Sequence, residues 1–161
     1  MSNIIKINKT DYTTNGQTHL QNIRNIIDGY YPHIPEGTYD CTLANWYTVN
    51  ICGVPKVILL FSILDYGEHF ETIIPRFYAI KRFKGKTGLK GAFVSKARGA
   101  FAEDYYTMYP DAPRLRPDRV PMTKLQGKIF TVSVGDVLTN NKQKEHIEKM
   151  KYSVVRKIEL N

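Results

Sequence analysis

From Gly37 onward the chain is built on alternation. Tyr39, Cys41, Leu43 and Tyr47 alternate with Asp40, Thr42, Ala44 and Trp46, the period of two that turns one face of a strand inward and the other to water. Trp46 thereby falls in phase with Asp40 and Thr42, on the more polar face. Asn50 to Pro55 supplies turn chemistry, because Gly53 permits positive φ and Pro55 interrupts a ladder. Lys56 to Leu64 is apolar almost without a break, which predicts a second strand buried on both faces. Asp65-Tyr66-Gly67 makes the next turn, and Phe70 to Ile80 reads as a third strand. Pro75 inside it has no N–H to give, so that strand is expected at an edge or bulged.

The spacing then changes to 3.6. Phe93 or Val94, Ala97, Phe101, Tyr105 and Met108 share one helical face, and Pro110 ends the pattern. A loop with Pro110, Pro113, Pro117 and Pro121 follows. Alternation returns at Lys128 to Val137 and again at Tyr152 to Leu160, joined by a polar connection over 138–151. Residues 1–36 are mostly polar, with Leu20, Ile23, Ile26 and Ile27 spaced for a short helix that Gly29 stops. The expected organisation is an N-terminal arm over 1–36 and one mainly β domain over 37–161, in the order β-β-β-α-β-β.

That order, over roughly residues 37–160, resembles the oligonucleotide/oligosaccharide-binding (OB) fold. The resemblance implies a five-stranded OB-type barrel whose one helix, between strands three and four, plugs an end. Through Pro35-Glu36-Gly37-Thr38-Tyr39, Pro55 to Phe61, Arg76-Phe77-Tyr78, Asp118-Arg119-Val120-Pro121 and Tyr152-Ser153-Val154-Val155 the chain is also similar to uncharacterised proteins carried on proteobacterial plasmids and integrative elements. The second likeness implies a mobile-element setting but no activity. Neither fixes a ligand, since OB barrels also bind proteins and sugars.

A chain of 161 residues is long enough for a core without metal or disulfide staples. The longest apolar run, Val57 to Leu64, is too short to span a bilayer, and Met1 to Lys6 contains no apolar stretch of a secretory signal, so the cytoplasm is expected. In that compartment Cys41 and Cys52 are expected as thiols rather than a disulfide. The formal charge is +8, and seven basic residues with no acidic one lie between Lys81 and Arg98. The charge is a patch.

These are the residues that carry the candidate chemistry. Lys81, Arg82, Lys84, Lys86, Lys90, Lys96 and Arg98 combine with Gly85, Gly88 and Gly91 at what reads as a helix start. Cations there oppose the helix dipole, and a bound anion would account for them; glycines and outward N–H groups let a phosphate backbone approach. Gly85-Lys86-Thr87 is not a Walker A loop, because Ile80 stands where its earlier glycine belongs. Phe77, Tyr78 and Phe83 flank Arg76, Lys81, Arg82 and Lys84, the interleaving of rings and cations that single-strand binders use. One of Phe77 and Tyr78 must face inward, and Trp46 suits surface stacking and core packing equally. Tyr105, Tyr106 and Tyr109 are expected to pack. Arg114, Arg116, Lys124 and Lys128 could extend the groove, Arg119 is expected to pair with Asp118 or Asp111, and Lys142 and Lys144 lie where OB folds clamp a strand.

Enzyme signals are weak. Glu68-His69-Phe70-Glu71 and Glu145-His146-Ile147-Glu148 repeat a spacing whose side chains do not converge in a strand, so no metal and no cofactor are expected. No G-x-S-x-G or C-x-x-C occurs. The expected function is single-stranded DNA or RNA binding by phosphate contacts and base stacking, without catalysis. The alternative is a protein-interaction module that docks on a replication, transfer or defence complex. No membrane partner is expected.

Overall fold

In the computed structural model, which describes residues 20–137 and 151–161, the protein is mainly β. A helix over 20–27 (α1) precedes β1 (Gly37–Ile51), β2 (Val54–Ile63) and β3 (Ile73–Ala79). Three two-residue strands follow: β4 (Arg82–Phe83), β5 (Gly88–Leu89) and β6 (Phe93–Val94). Helix α2 (Ala100–Met108), a 3-10 turn at Met122–Lys124, β7 (Ile129–Val137) and β8 (Tyr152–Leu160) complete the order. Among the described residues no helix is long and apolar enough to cross a membrane.

The long strands form one sheet in the order β3-β2-β1-β7-β8, and every neighbouring pair is antiparallel. Two reversals on each side of β1 leave the end strands, β3 and β8, pointing the same way. They lie side by side, yet among the described residues no ladder joins them. The expected closure into a barrel is thus not made by strand pairing. Arg76 of β3 bridges the seam instead, its Nη1 donating to the carbonyls of Val155 at 2.8 Å and Arg156 at 3.0 Å on β8. Pro75 sits in this end strand, opposite Leu60, where a missing N–H costs no ladder bond.

The continuous apolarity of β2 is explained by what covers its two faces. Val57, Leu59, Phe61 and Ile63 enter the main core with Phe130, Val132, Phe101 and Tyr105. Ile58 and Leu60 face the other way, where Ile23 and Ile26 of α1 cover them together with Tyr47 and Ile73. The described part of the arm is therefore stitched to the sheet. Ser153 N donates to Pro32 O, and the buried Ser153 hydroxyl accepts from Ile34 N at 2.9 Å. Tyr31 packs on Tyr152 and edge-on against Phe77, with ring centroids 4.6 and 5.8 Å away.

Two expectations fail for local reasons. The register of β1 against β2 shifts between Leu43 and Asn45, and such a bulge reverses the inward and outward phase of every later residue. Trp46 consequently joins Cys41 and Leu43 in the main core, while Tyr47 moves to the face beneath α1. The helix foreseen from Phe93 begins only at Ala100, after Gly99 at φ 118°. Phe93 and Val94 pair instead with Phe83 and Arg82. Phe101, Tyr105 and Met108 are buried as their spacing required, but Ala97 lies outside the helix and exposed.

Candidate nucleic-acid interface

The basic stretch is held by strand pairing and not by a helix. Lys81 N donates to Val94 O and Lys84 N to Ala92 O, which continue the β4–β6 ladder. β5 adds to β1 opposite Tyr47 and Thr48, and Lys90 N donates to Trp46 O at 2.8 Å. Lys90, Lys96 and Arg98 all precede α2, so the expected conflict between cations and a helix dipole is confined to Arg98, which adjoins the N-cap residue Gly99. What remains is a set of exposed cations on a short, well-anchored β excursion. Lys81, Arg82, Lys84, Lys86, Lys90, Lys96 and Arg98 are all exposed, and among the described residues none makes an ion pair.

Part of this set converges. A cleft of about 280 Å³ is lined by Trp46, Lys84, Lys90, Phe93, Arg119 and Met122, among others. Its floor is tied to β1: the Trp46 indole Nε1 donates to Gly91 O at 3.2 Å, and Gly91 is packed against Thr48. Lys90 holds φ 57°, a left-handed conformation that costs a non-glycine residue about 1 kcal/mol. Lys84 Nζ reaches Asp118 O at 2.7 Å. Asp118, the one carboxylate in the lining, stands 3.7 Å from Arg116. The pairing expected for Arg119 is thus taken by Arg116, and Arg119 is left on the rim of the cleft. Lys96 and Arg98 line a neighbouring recess of about 300 Å³ beside Phe77 and Phe101.

The remaining sequence candidates separate into three groups. Arg76 and Tyr78 belong to the seam: Arg76 Nε lies 2.7 Å from Asp104 Oδ2, and Tyr78, 3% exposed, donates its hydroxyl to the same oxygen. Burial opposes the Arg76 charge, but the Tyr78 oxygen and the Asp104 carboxylate outweigh it and hold the guanidinium protonated. These two side chains are spent on the fold and are withdrawn from the interface. Trp46, 7% exposed, is a wall of the cleft and not a surface platform, and Phe83 is half-buried against the main core. Lys142 and Lys144 lie outside the described residues.

Among the described residues no three His, Cys, Asp or Glu side chains gather to hold a metal ion. Glu68, His69 and Glu71 lie in the turn between β2 and β3, and Glu145 to Glu148 lies outside the described residues. No protein-family model, curated protein or solved structure matches the chain.

Proposed function

We propose that this protein is a single-stranded nucleic-acid-binding module of OB type, acting without catalysis, and that it serves a mobile genetic element. The observation that carries the reading is the convergence of Lys84, Lys90 and Arg119 on a cleft walled by Trp46 and Phe93. Phosphates are drawn to the cations, and a recess of this size takes one flat ring from an unpaired strand, whereas a duplex keeps its bases stacked inside. Lys81, Arg82, Lys86, Lys96 and Arg98 extend the track for the backbone. Sequence-independent phosphate contact thus dominates, with one base held in the cleft. The OB assignment draws support from the strand order and from the parallel approach of β3 and β8. The mobile-element setting rests on the likeness in sequence. Cytoplasmic residence belongs to the same reading.

The deciding measurement is titration with oligo(dT) at several salt concentrations, read by fluorescence of Trp46, the single tryptophan. With about five phosphates neutralised, log K should fall with log salt at a slope near −3.5. Binding that ignores salt, or none at low salt, refutes the reading.

A further inference from the structure

The turn between β2 and β3 is the chemical opposite of the cleft. Tyr66 and Phe70 stack on each other, ring centroids 5.3 Å apart and 13° from parallel, while 93% and 41% exposed. Asp65, Glu68 and Glu71 surround them, with no lysine or arginine between Leu64 and Thr72. A stacked aromatic pair left in water, edged by carboxylates, repels a phosphate backbone and suits a cationic recess with an aromatic wall. The cleft of Lys84, Lys90, Arg119 and Trp46 is such a recess on the same chain.

The tip cannot reach its own molecule's cleft. It follows Ile63, whereas β5 is in register with Tyr47 and Thr48, which pair with Ile58 and Val57. Five or six residues of rigid β2 lie between, roughly 15–20 Å. Backbone bonds from Glu71 N to Ile63 O and from Leu64 N to Asp40 O fix the turn outward.

We propose that the Tyr66–Phe70 tip of one copy docks in the Lys84–Lys90–Arg119 cleft of a second copy. The contact joins two different surfaces, so it is heterologous and propagates head to tail unless it closes into a ring. It uses the cleft assigned above to nucleic acid but does not depend on nucleic acid binding there. Where both hold, an oligonucleotide and the neighbouring tip compete.

The test uses two full-length variants that each remove one partner surface, Tyr66→Ser with Glu68→Gln on the tip and Lys84→Gln with Lys90→Gln in the cleft. In sedimentation at about 50 mM salt the unaltered protein should associate with rising concentration, and about 300 mM salt should reverse it. Each variant alone should lose self-association about tenfold or more. An equimolar mixture keeps one intact tip and one intact cleft, so it should form a one-to-one dimer and nothing larger. An unaltered protein that stays monomeric, a variant that associates like the unaltered protein, or a mixture that remains monomeric overturns the docking. Unchanged circular dichroism of both variants shows that they are folded. Oligo(dT) binding by the tip variant reports separately on the nucleic-acid reading, which stands or falls without reference to the dimer.

Discussion

Arg76 Nε stands 2.7 Å from Asp104 Oδ2, and through that pair helix α2 holds in place the guanidinium that bridges β3 to β8. Both side chains are mostly buried, at 19% and 15% exposure. Arg76→Ala would strand the Asp104 carboxylate and remove the donor to two β8 carbonyls. The expected loss is about 3 kcal/mol, read as a lowered urea midpoint. Arg76→Lys should fall between, since one ammonium cannot serve both Asp104 and β8. With Asp104→Asn the losses should be less than additive. An Arg76→Ala midpoint no lower than that of an exposed lysine variant would show that the seam is held by something else.

Lys90 separates ligand binding from stability. Its φ of 57° is one that glycine adopts without strain. Lys90→Gly should therefore leave stability unchanged or raise it by up to about 1 kcal/mol. Binding of oligo(dT) should weaken severalfold, with a salt slope about 0.7 shallower, the share of one phosphate. A destabilised Lys90→Gly with an unchanged slope would mean that the side chain serves the loop.

Gly91 tests how the cleft floor is built. A Cβ there would lie 2.1 Å from Thr48 Oγ1 and 3.0 Å from the Gly88 carbonyl oxygen, contacts that force backbone or side chain to move. Gly91→Ala should cost about 2 kcal/mol and alter Trp46 emission, because the Gly91 carbonyl accepts the indole N–H. Thr48→Ala in the same chain should recover part of both changes. A silent Gly91→Ala would mean that the floor is pliable.

Ile26 decides whether the arm is a separate unit. It is 1% exposed, packed on the outer face of the sheet with Ile58 and Leu60. Ile26→Ala should destabilise the whole domain by about 3 kcal/mol in a single transition. A change confined to the arm, with the domain midpoint unmoved, would contradict this packing.

How far the sequence foretold the molecule can be traced residue by residue. The run Lys56 to Leu64 announces a strand covered on both sides, and Pro75 announces an edge or a bulge, of which the structure shows the edge, because each follows from hydrogen-bonding and burial rules local to that strand. Simple alternation puts Trp46 in phase with the polar face because one inserted residue near Asn45 reverses the phase, and alternation alone carries no mark of a bulge; of the two roles open to it, the structure shows core packing. An asparagine mid-strand was the available hint: Asn45 Oδ1 accepts from Trp46 N at 2.9 Å. Arg76 and Tyr78 looked like ligand residues because the partner that claims them, Asp104, lies far along the chain. Arg119 was missed for the converse reason, since its nearest acid in sequence is paired with Arg116.

Cys41 gives the fold a dependence on alkaline pH whose sign follows from its surroundings. Burial, with Asp65 and then Asp40 adding to it, pushes the thiol from 9.0 up to about 12. Below pH 9 the thiol is protonated in the folded and the unfolded chain alike, so its contribution is fully present there. Between about pH 9 and 12 the unfolded chain gives up the proton while the folded chain keeps it. Stability should therefore decline through that window, by at most about 1.4 kcal/mol per pH unit for one proton. Tyr47 and Tyr78, both raised chiefly by burial, deepen the decline in the same direction. Cys41→Ala should make the slope of urea stability against pH shallower by up to that amount while leaving the slope below pH 9 alone. A thiol reagent at pH 8 should label exposed Cys52 and reach Cys41 only on unfolding. Rapid labelling of Cys41 in the native protein would place it outside the main core and remove the basis of the alkaline slope.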